Sequence, residues 1–365
     1  MQLSRRYYWC REGGACPAEG LLGIEDGRVS PGAKQICCRL GMLQNFAQAA
    51  GDVLSIGGLR VCRERLRQVV EAEAAAVTLR REEGELPASW SAAAADLRRV
   101  YVGADGLLVP TVTEAEKKKR RASQVGRRAA RVRHGRGNLK PLPPRKEGTD
   151  RSYKEMKLGL FYDQGKEHRH AFVTCRGPRR LGRLLRGQGS LIGLGQAKEK
   201  RSVTDAAAWV LRQLDLCLPM LDGKLIDFYH LAKHVYEAAG TCLGEAAGGR
   251  WALEQLRAVR QRGPEGLLKE VVDLRKGVRS AGKREALRQL EQYVGRHKGL
   301  MDYPRELAAG RDIGSGPTEA MCKTLSLRIK GCGMKWDLTH AQDLMNLIAM
   351  YESGQAPTYW NASAA

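Results

Sequence analysis

The chain has 365 residues, 43% of them hydrophobic, which is enough for one large core or two to three domains. Its 62 basic residues outnumber 40 acidic ones, for a net charge of +22. That balance calls for a polyanionic partner, first of all nucleic acid. No apolar run of about 18 residues and no basic-then-apolar leader is present, so a membrane partner is not expected.

Residues 1–90 read as mostly helical. Within Asn45–Ala75, Phe46, Ala49, Ala50, Val53 and Leu54 share one helical face and Leu66, Val69 and Val70 another, with Gly57 and Gly58 between. Two short helices joined at a glycine turn, with Arg60, Arg63, Arg65 and Arg67 on and before the second, suit a helix-turn-helix and equally an ordinary helical hairpin. Glu73 to Arg99 is alanine-rich and reads as helix broken near Pro87. Arg99–Pro110, RVYVGADGLLVP, is apolar and β-branched and predicts a buried strand or tight hairpin.

From Lys117 to Lys146 the chain carries 13 Lys or Arg and no acid, more than half of the net charge. Gly135, Gly137, Pro141, Pro143 and Pro144 argue against regular structure in its second half. The stretch reads as a solvated loop or as an arm that grips phosphates, and phosphate contacts position rather than specify. Lys117, Lys118, Lys119, Arg120 and Arg121 are its densest run.

YKEMKLGLFYDQ from Tyr153 and HRHAFVTCRG from His168 predict a strand hairpin. A helix follows near Arg179–Arg186, then a strand ending at Asp205 and a helix, then a second strand running into a helix near Tyr229. Beyond it the chain is helical to about Pro304. The final helical region starts at Thr318 and ends before Pro357. Three strands followed by alternating helix and strand is the RNase H-like plan, an α/β mixed sheet. The domains expected are a helical N-terminal region over 1–95, the core over 96–232 with its basic arm at 117–146, a helical insertion over 233–310, the rest of the core over 311–352 and a tail over 353–365.

Phosphodiester chemistry with divalent metals needs carboxylates on strand ends and helix starts, where a rigid core holds them. Asp105 lies in the first long strand, beside Gly106. Asp205 ends the fourth strand of the core, and Glu319 opens a helix after a glycine-rich turn. Each taken alone also reads as a cap or turn acid. Asp227 competes with Asp205 for the second position.

At these residues the sequence resembles the DDE transposases of bacterial insertion sequences, in the branch related to Mutator-like elements (Kra-type insertion sequences). The likeness rests on RRYYWC at Arg5–Cys10, YVGADGLLVPTVTEAEKKKRR, YKEMKLGLFYDQ, TDAAAW, LIDFYHLAKHV and IGSGPTEAMCKTLSLRIKGCGMKW through Trp336. It implies an RNase H-like catalytic core with a helical insertion before the last acid. Asp105, Asp205 and Glu319 are then the catalytic and metal-binding acids, holding two Mg²⁺ or Mn²⁺ ions. Asp227 and His230 match the family's DxxH motif. His230 either handles groups near the scissile phosphate or is a structural tie with Asp227. Lys323, Arg328 and Lys330 are expected on DNA phosphates; Trp336 stacks on a base or packs in the core.

The resemblance also implies a bacterial, cytoplasmic, nucleoid-associated protein that cuts and joins double-stranded DNA at element ends and target, as a homodimer. Relatives open with paired CxxC motifs. Here the ten cysteines contain no CxxC, Cys10 is followed by Gly13 and Cys16 stands alone, so a structural zinc is not expected and most thiols read as free and buried. Ala206 stands where relatives carry Gly. These departures leave a second reading, a truncated, inactive remnant that only binds DNA, and a third, an RNase H-like nuclease without strand transfer.

Overall fold

A computed structural model describes residues 8–10, 13–15, 29–135, 141–142 and 144–362. The chain opens with β1 (Tyr8–Cys10), β2 (Gly13–Ala15), α1 (Pro31–Leu43), α2 (Phe46–Gly57), α3 (Arg63–Glu83), β3 (Arg99–Pro110) and α4 (Glu114–Arg133). It continues with β4 (Tyr153–Asp163), β5 (Arg169–Thr174), α5 (Pro178–Leu191), β6 (Glu199–Thr204), α6 (Ala208–Cys217), β7 (Gly223–Ile226) and α7 (Phe228–Leu243). Then follow α8 (Glu245–Arg262), α9 (Glu265–Gly277), α10 (Ala281–His297), α11 (Tyr303–Ala308), α12 (Gly316–Leu327), α13 (Leu338–Glu352) and α14 (Ala356–Ala362). These elements form two compact units. One comprises Met1–Ser89, Leu107–Met156 and Thr324–Ala365, the other Trp90–Gly106 and Lys157–Lys323.

The first unit is helical. Asn45 caps α2 by accepting from the amides of Ala47 and Gln48, and Gly58 ends it at φ 63°, a left-handed conformation that suits glycine. Ala49 and Val53 of α2 and Leu66, Val69 and Val70 of α3 are buried on the faces expected of them, whereas Leu54 is half exposed. The α13 helix, almost wholly buried from Ala341 to Met350, packs on α3.

Three expectations fail here or just beyond. The break expected near Pro87 is found, helix α3 stopping at Glu83 where Gly84 takes the left-handed conformation, but the alanines after Ser91, expected as helix, form turns. The C-terminal helix contains Pro357 at its second position, where a missing N–H costs nothing. The basic run, expected as a solvated loop or a phosphate-gripping arm without regular structure in its second half, is helical from Glu114 to Arg133. A reciprocal capping box between Thr113 and Glu116 starts that helix, and long basic side chains and alanines propagate it. No residue of α4 is buried.

The second unit contains a five-stranded mixed sheet in the order β5-β4-β3-β6-β7. Strands β4 and β5 are the antiparallel hairpin expected, and β3, β6 and β7 run parallel. The helical block that follows β7 packs α7 on α8, α8 on α9, α9 on α10, and α10 back on α7. Its seams are Ala252, Leu256 and Val259, then Leu267 and Val271, then Leu287, Leu290 and Val294. Among the described residues no helix is long and apolar enough to cross a membrane.

Candidate active site

Three aspartates lie toward one end of the parallel register. Along β3 and β6 each residue faces the one 100 positions later, up to Val102 and Ser202. Asp105 and Asp205 each lie three residues beyond that last pair, Asp105 within β3, which runs on to Pro110, and Asp205 just past the end of β6. Along β6 and β7 the last pair is Thr204 with Ile226, and Asp205 and Asp227 follow at once. The crevice beyond the carboxyl ends of parallel strands is where open α/β sheets bind ligands.

Glu319 reaches the same edge from α12. Gly103 of β3 makes the approach possible, since a Cβ there would come within 1.9 Å of the Thr318 hydroxyl. Thr318 is only 2% exposed, so the first turn of α12 is seated on the strand two residues before Asp105. One turn on, Cys322 donates its thiol to Oδ2 of Asp105 at 3.5 Å, and the Gly106 amide donates to Oδ1 at 2.6 Å. Sequence reasoning missed Cys322; its i+3 spacing from Glu319 in TEAMC was the available signal.

The electrostatics tie the three acids together. Burial is the main reason the Asp105 carboxyl is held above its ordinary range. The Gly106 amide and the Cys322 thiol pull it back, while the charges of Asp205 and Glu319 push it further up. Asp205 is half-buried and accepts from the Ala207 amide at 3.2 Å. Glu319 is exposed. Such acids suit a hard divalent cation in donor type, and a cation would relieve their mutual repulsion. Among the described residues, however, no three His, Cys, Asp or Glu side chains are drawn close enough together to hold a metal ion.

Asp227 has a different occupation. It is 2% exposed, and its Oδ1 accepts from the amides of Tyr229 at 2.6 Å and His230 at 3.1 Å, capping α7. Its Oδ2 accepts from the amide of Ser315 at 2.6 Å and from the Ser315 hydroxyl. The amide of Phe228 meanwhile donates to the Ile313 carbonyl at 2.9 Å. Asp227 thereby fastens the turn that leads into α12 and Glu319.

His230 gives Asp227 its backbone amide, not its imidazole. Its Nε2 lies 3.2 Å from Nε2 of His234, one turn further along α7. Tyr293 of α10 lies tilted against His234 at 4.3 Å between centroids, with His297 at 5.4 Å from Tyr293. Burial, then the charges of Asp205 and Asp227, make the Tyr293 phenol hard to ionise. The helical block therefore extends to within electrostatic reach of Asp205. The His230–His234 spacing was visible in FYHLAKH; the contribution of α10 was not.

The expected DNA-contacting side chains divide. Lys118, Lys119, Arg120, Lys323 and Lys330 are exposed. Lys117 is instead tied to Asp337 at 2.7 Å and to the Glu147 carbonyl at 2.8 Å, and Arg121 is half-buried. Arg328 is only 6% exposed, its guanidinium lying over the rings of Phe46 and Trp336. Trp336 donates its indole N–H to the Ile329 carbonyl at 2.9 Å and meets Phe46 edge to face. Cys10 lies in β1, while Cys16 and Arg5–Tyr7 fall outside the described residues.

The chain matches no family model and no curated protein sequence. Among solved structures it is similar to the Drosophila P element transposase strand transfer complex, with 12% identity and a TM-score of 0.25 over 91% of this chain and 88% of that one. A likeness of that size carries no weight for fold or function.

Proposed function

We propose that the chain is a DDE-type transposase with an RNase H-like core that cleaves DNA at element ends and transfers the freed strand. The observation that carries this reading is that Asp105 and Asp205 lie past the same end of the β3–β6 ladder and, with Glu319 on a helix seated against Gly103 through Thr318, within electrostatic reach of one another. The strand order, three parallel strands flanked by an antiparallel hairpin, fits the core named. Support also comes from the resemblance of the motifs around these acids and from the charge of +22.

In this reading Asp105, Asp205 and Glu319 would hold two Mg²⁺ or Mn²⁺ ions once drawn together, and the ions would supply Lewis acidity to a phosphodiester. Asp227 is a positioning residue that sets the turn before Glu319. Exposed cations of α4, with Lys323 and Lys330, hold the double-stranded DNA of ends and target. A homodimer brings two ends together.

A second reading, a DNA-binding remnant, is favoured by one observation: the acids do not form a ready-made metal group. Metal-dependent nicking separates the two. The wild-type protein should nick and join DNA carrying its element ends in Mg²⁺ or Mn²⁺. Asp105→Asn should lose on the order of 10³-fold or more in rate, at least the loss typical of one removed transition-state contact, while DNA affinity is kept. A wild-type protein that binds DNA yet never nicks it establishes the remnant. Undiminished nicking by Asp105→Asn removes Asp105 from the chemistry.

A further inference from the structure

The first unit contains a cavity of about 640 Å³ built from residues far apart in sequence. One wall is aromatic: Phe46, at the start of α2, and Trp336, just before α13, meet at 6.3 Å between centroids. The guanidinium of Arg328 lies over both rings, 4.9 Å from the Phe46 centroid and 5.1 Å from that of Trp336. Arg328 donates to the Gly41 carbonyl at 3.0 Å and to Met334 Sδ at 3.1 Å, both neutral. Its charge is buried with aromatic faces and neutral acceptors around it. Burial pulls its pKa down to about 10. Cation–π contacts with both rings hold it there.

The rest of the lining adds cations. Arg120 projects from α4, and Lys146 lies with its Nζ 3.2 Å from Nε2 of His340. The two acids on the wall are already committed. Glu71 pairs with Arg67 and lies 3.4 Å from Nδ1 of His340, and Asp337 pairs with Lys117. Asp337 consequently makes no side-chain cap to α13, which leaves the first-turn amides of a 15-residue helix uncapped by it. An aromatic wall, a buried guanidinium and flanking cations in this volume match a planar base carrying a phosphate.

We infer that this cavity binds a nucleotide, its base against Phe46 and Trp336 and its phosphate toward Arg120 and Lys146. The nucleotide is either free or an unpaired residue of a DNA strand; only the second source rests on the transposase reading. Neither source needs the carboxylates at the sheet edge.

The test is equilibrium binding without divalent metal, using deoxynucleoside monophosphates, a ten-nucleotide single strand and a fully paired duplex of the same sequence. Wild type, Arg120→Gln/Lys146→Gln, Phe46→Leu and Asp105→Asn are compared, each checked for its helical content. Phe46→Leu should weaken the nucleotide or single strand about tenfold, the loss of one stacking contact, with little effect on the duplex. The double cation variant should weaken the same ligands and make their binding less salt-dependent. Asp105→Asn should bind as wild type does, so a failed cleavage assay leaves this inference standing. Monophosphate binding that responds to these variants assigns a free nucleotide, and response of the single strand alone assigns a strand residue. Binding that no variant changes overturns the inference, and so does inorganic phosphate competing as well as a nucleotide does.

Discussion

Strands β3 and β6 carry opposite electrostatics at their two ends. At the start of the register Arg99 faces Glu199, an opposite-charge pair at 2.5 Å, and Arg311 joins Glu199 at 3.2 Å. Beside it Arg201 pairs with Glu306, which also receives Arg311. The hydrogen bond from Arg99, aided by Arg311, pulls the Glu199 carboxyl down to about 2. Past the far end of the same ladder lie Asp105 and Asp205, and the Asp105 carboxyl is held above its ordinary range by burial and by like charges. One end is arranged to satisfy its charges. The other keeps like charges within reach of one another, an electrostatic strain, and groups so perturbed are typical of sites that take a ligand.

The largest expected effect comes from loosening what holds the strained end. Asp227→Ala removes four accepted hydrogen bonds, leaving α7 uncapped and the buried Ser315 amide without its acceptor. The expected cost is about 2–4 kcal/mol in denaturant unfolding, from a lost cap and an unsatisfied buried donor. Asp227→Asn, which keeps an acceptor oxygen, should cost less than half as much and retain measurable nicking. An Asn variant as inactive as Asp105→Asn would make Asp227 a ligand instead of a tie.

Next comes Gly103→Val. The added side chain meets the Thr318 hydroxyl and must displace the first turn of α12. Overpacking of this kind costs about 1–3 kcal/mol. Adding Thr318→Ala to that variant should recover part of the loss, and the non-additivity, read by a double-mutant cycle, reports the contact directly. Strict additivity of the two changes would mean that the helix is not seated on the strand at this point.

Much of the satisfied framework was legible from sequence, because apolar runs and turn residues set off β3 to β7 in the right order. Asp105 within a strand, Asp205 at a strand end and Glu319 at a helix start could be singled out as candidates from their places and from the resemblance of the motifs around them. What was hidden is long-range. That Asp227 accepts from Ser315, 88 residues away, follows from the fold and not from DFYH itself. The burial of Arg328 depends on Phe46, and a guanidinium under two rings looks in sequence like any other surface cation. Helix α4 was hidden differently. Its charge masked a capping box, TEAE, that local chemistry alone was enough to read.

The two ends should also respond oppositely to neutralisation. Glu199 has a depressed folded-state pKa, so its charge contributes stability that is complete above about 4.5 and lost as pH falls toward 2. Glu199→Gln should therefore destabilise the protein at neutral pH by about 1–2 kcal/mol, as expected for a partly buried ion pair with two arginines. The difference from wild type should shrink on acidification through that window. A neutral effect at pH 7 would mean that the network is solvated and contributes nothing.

The smallest effect tests the strained end by its sign. Asp105 has a raised folded-state pKa, so ionising it costs stability, and the cost grows as pH rises from 3.8 through the raised value. Without divalent metal, Asp105→Asn should therefore melt slightly higher than wild type at pH 7, and the gap should close below pH 3.8 where both carry no charge at this position. Adding Mg²⁺ should raise the wild-type melting temperature and leave the variant nearly unmoved, because an ion that binds only the folded state stabilises it by mass action. A variant that melts lower than wild type without metal would show that the carboxylate is stabilised where it stands, and the two ends of the ladder would then be alike.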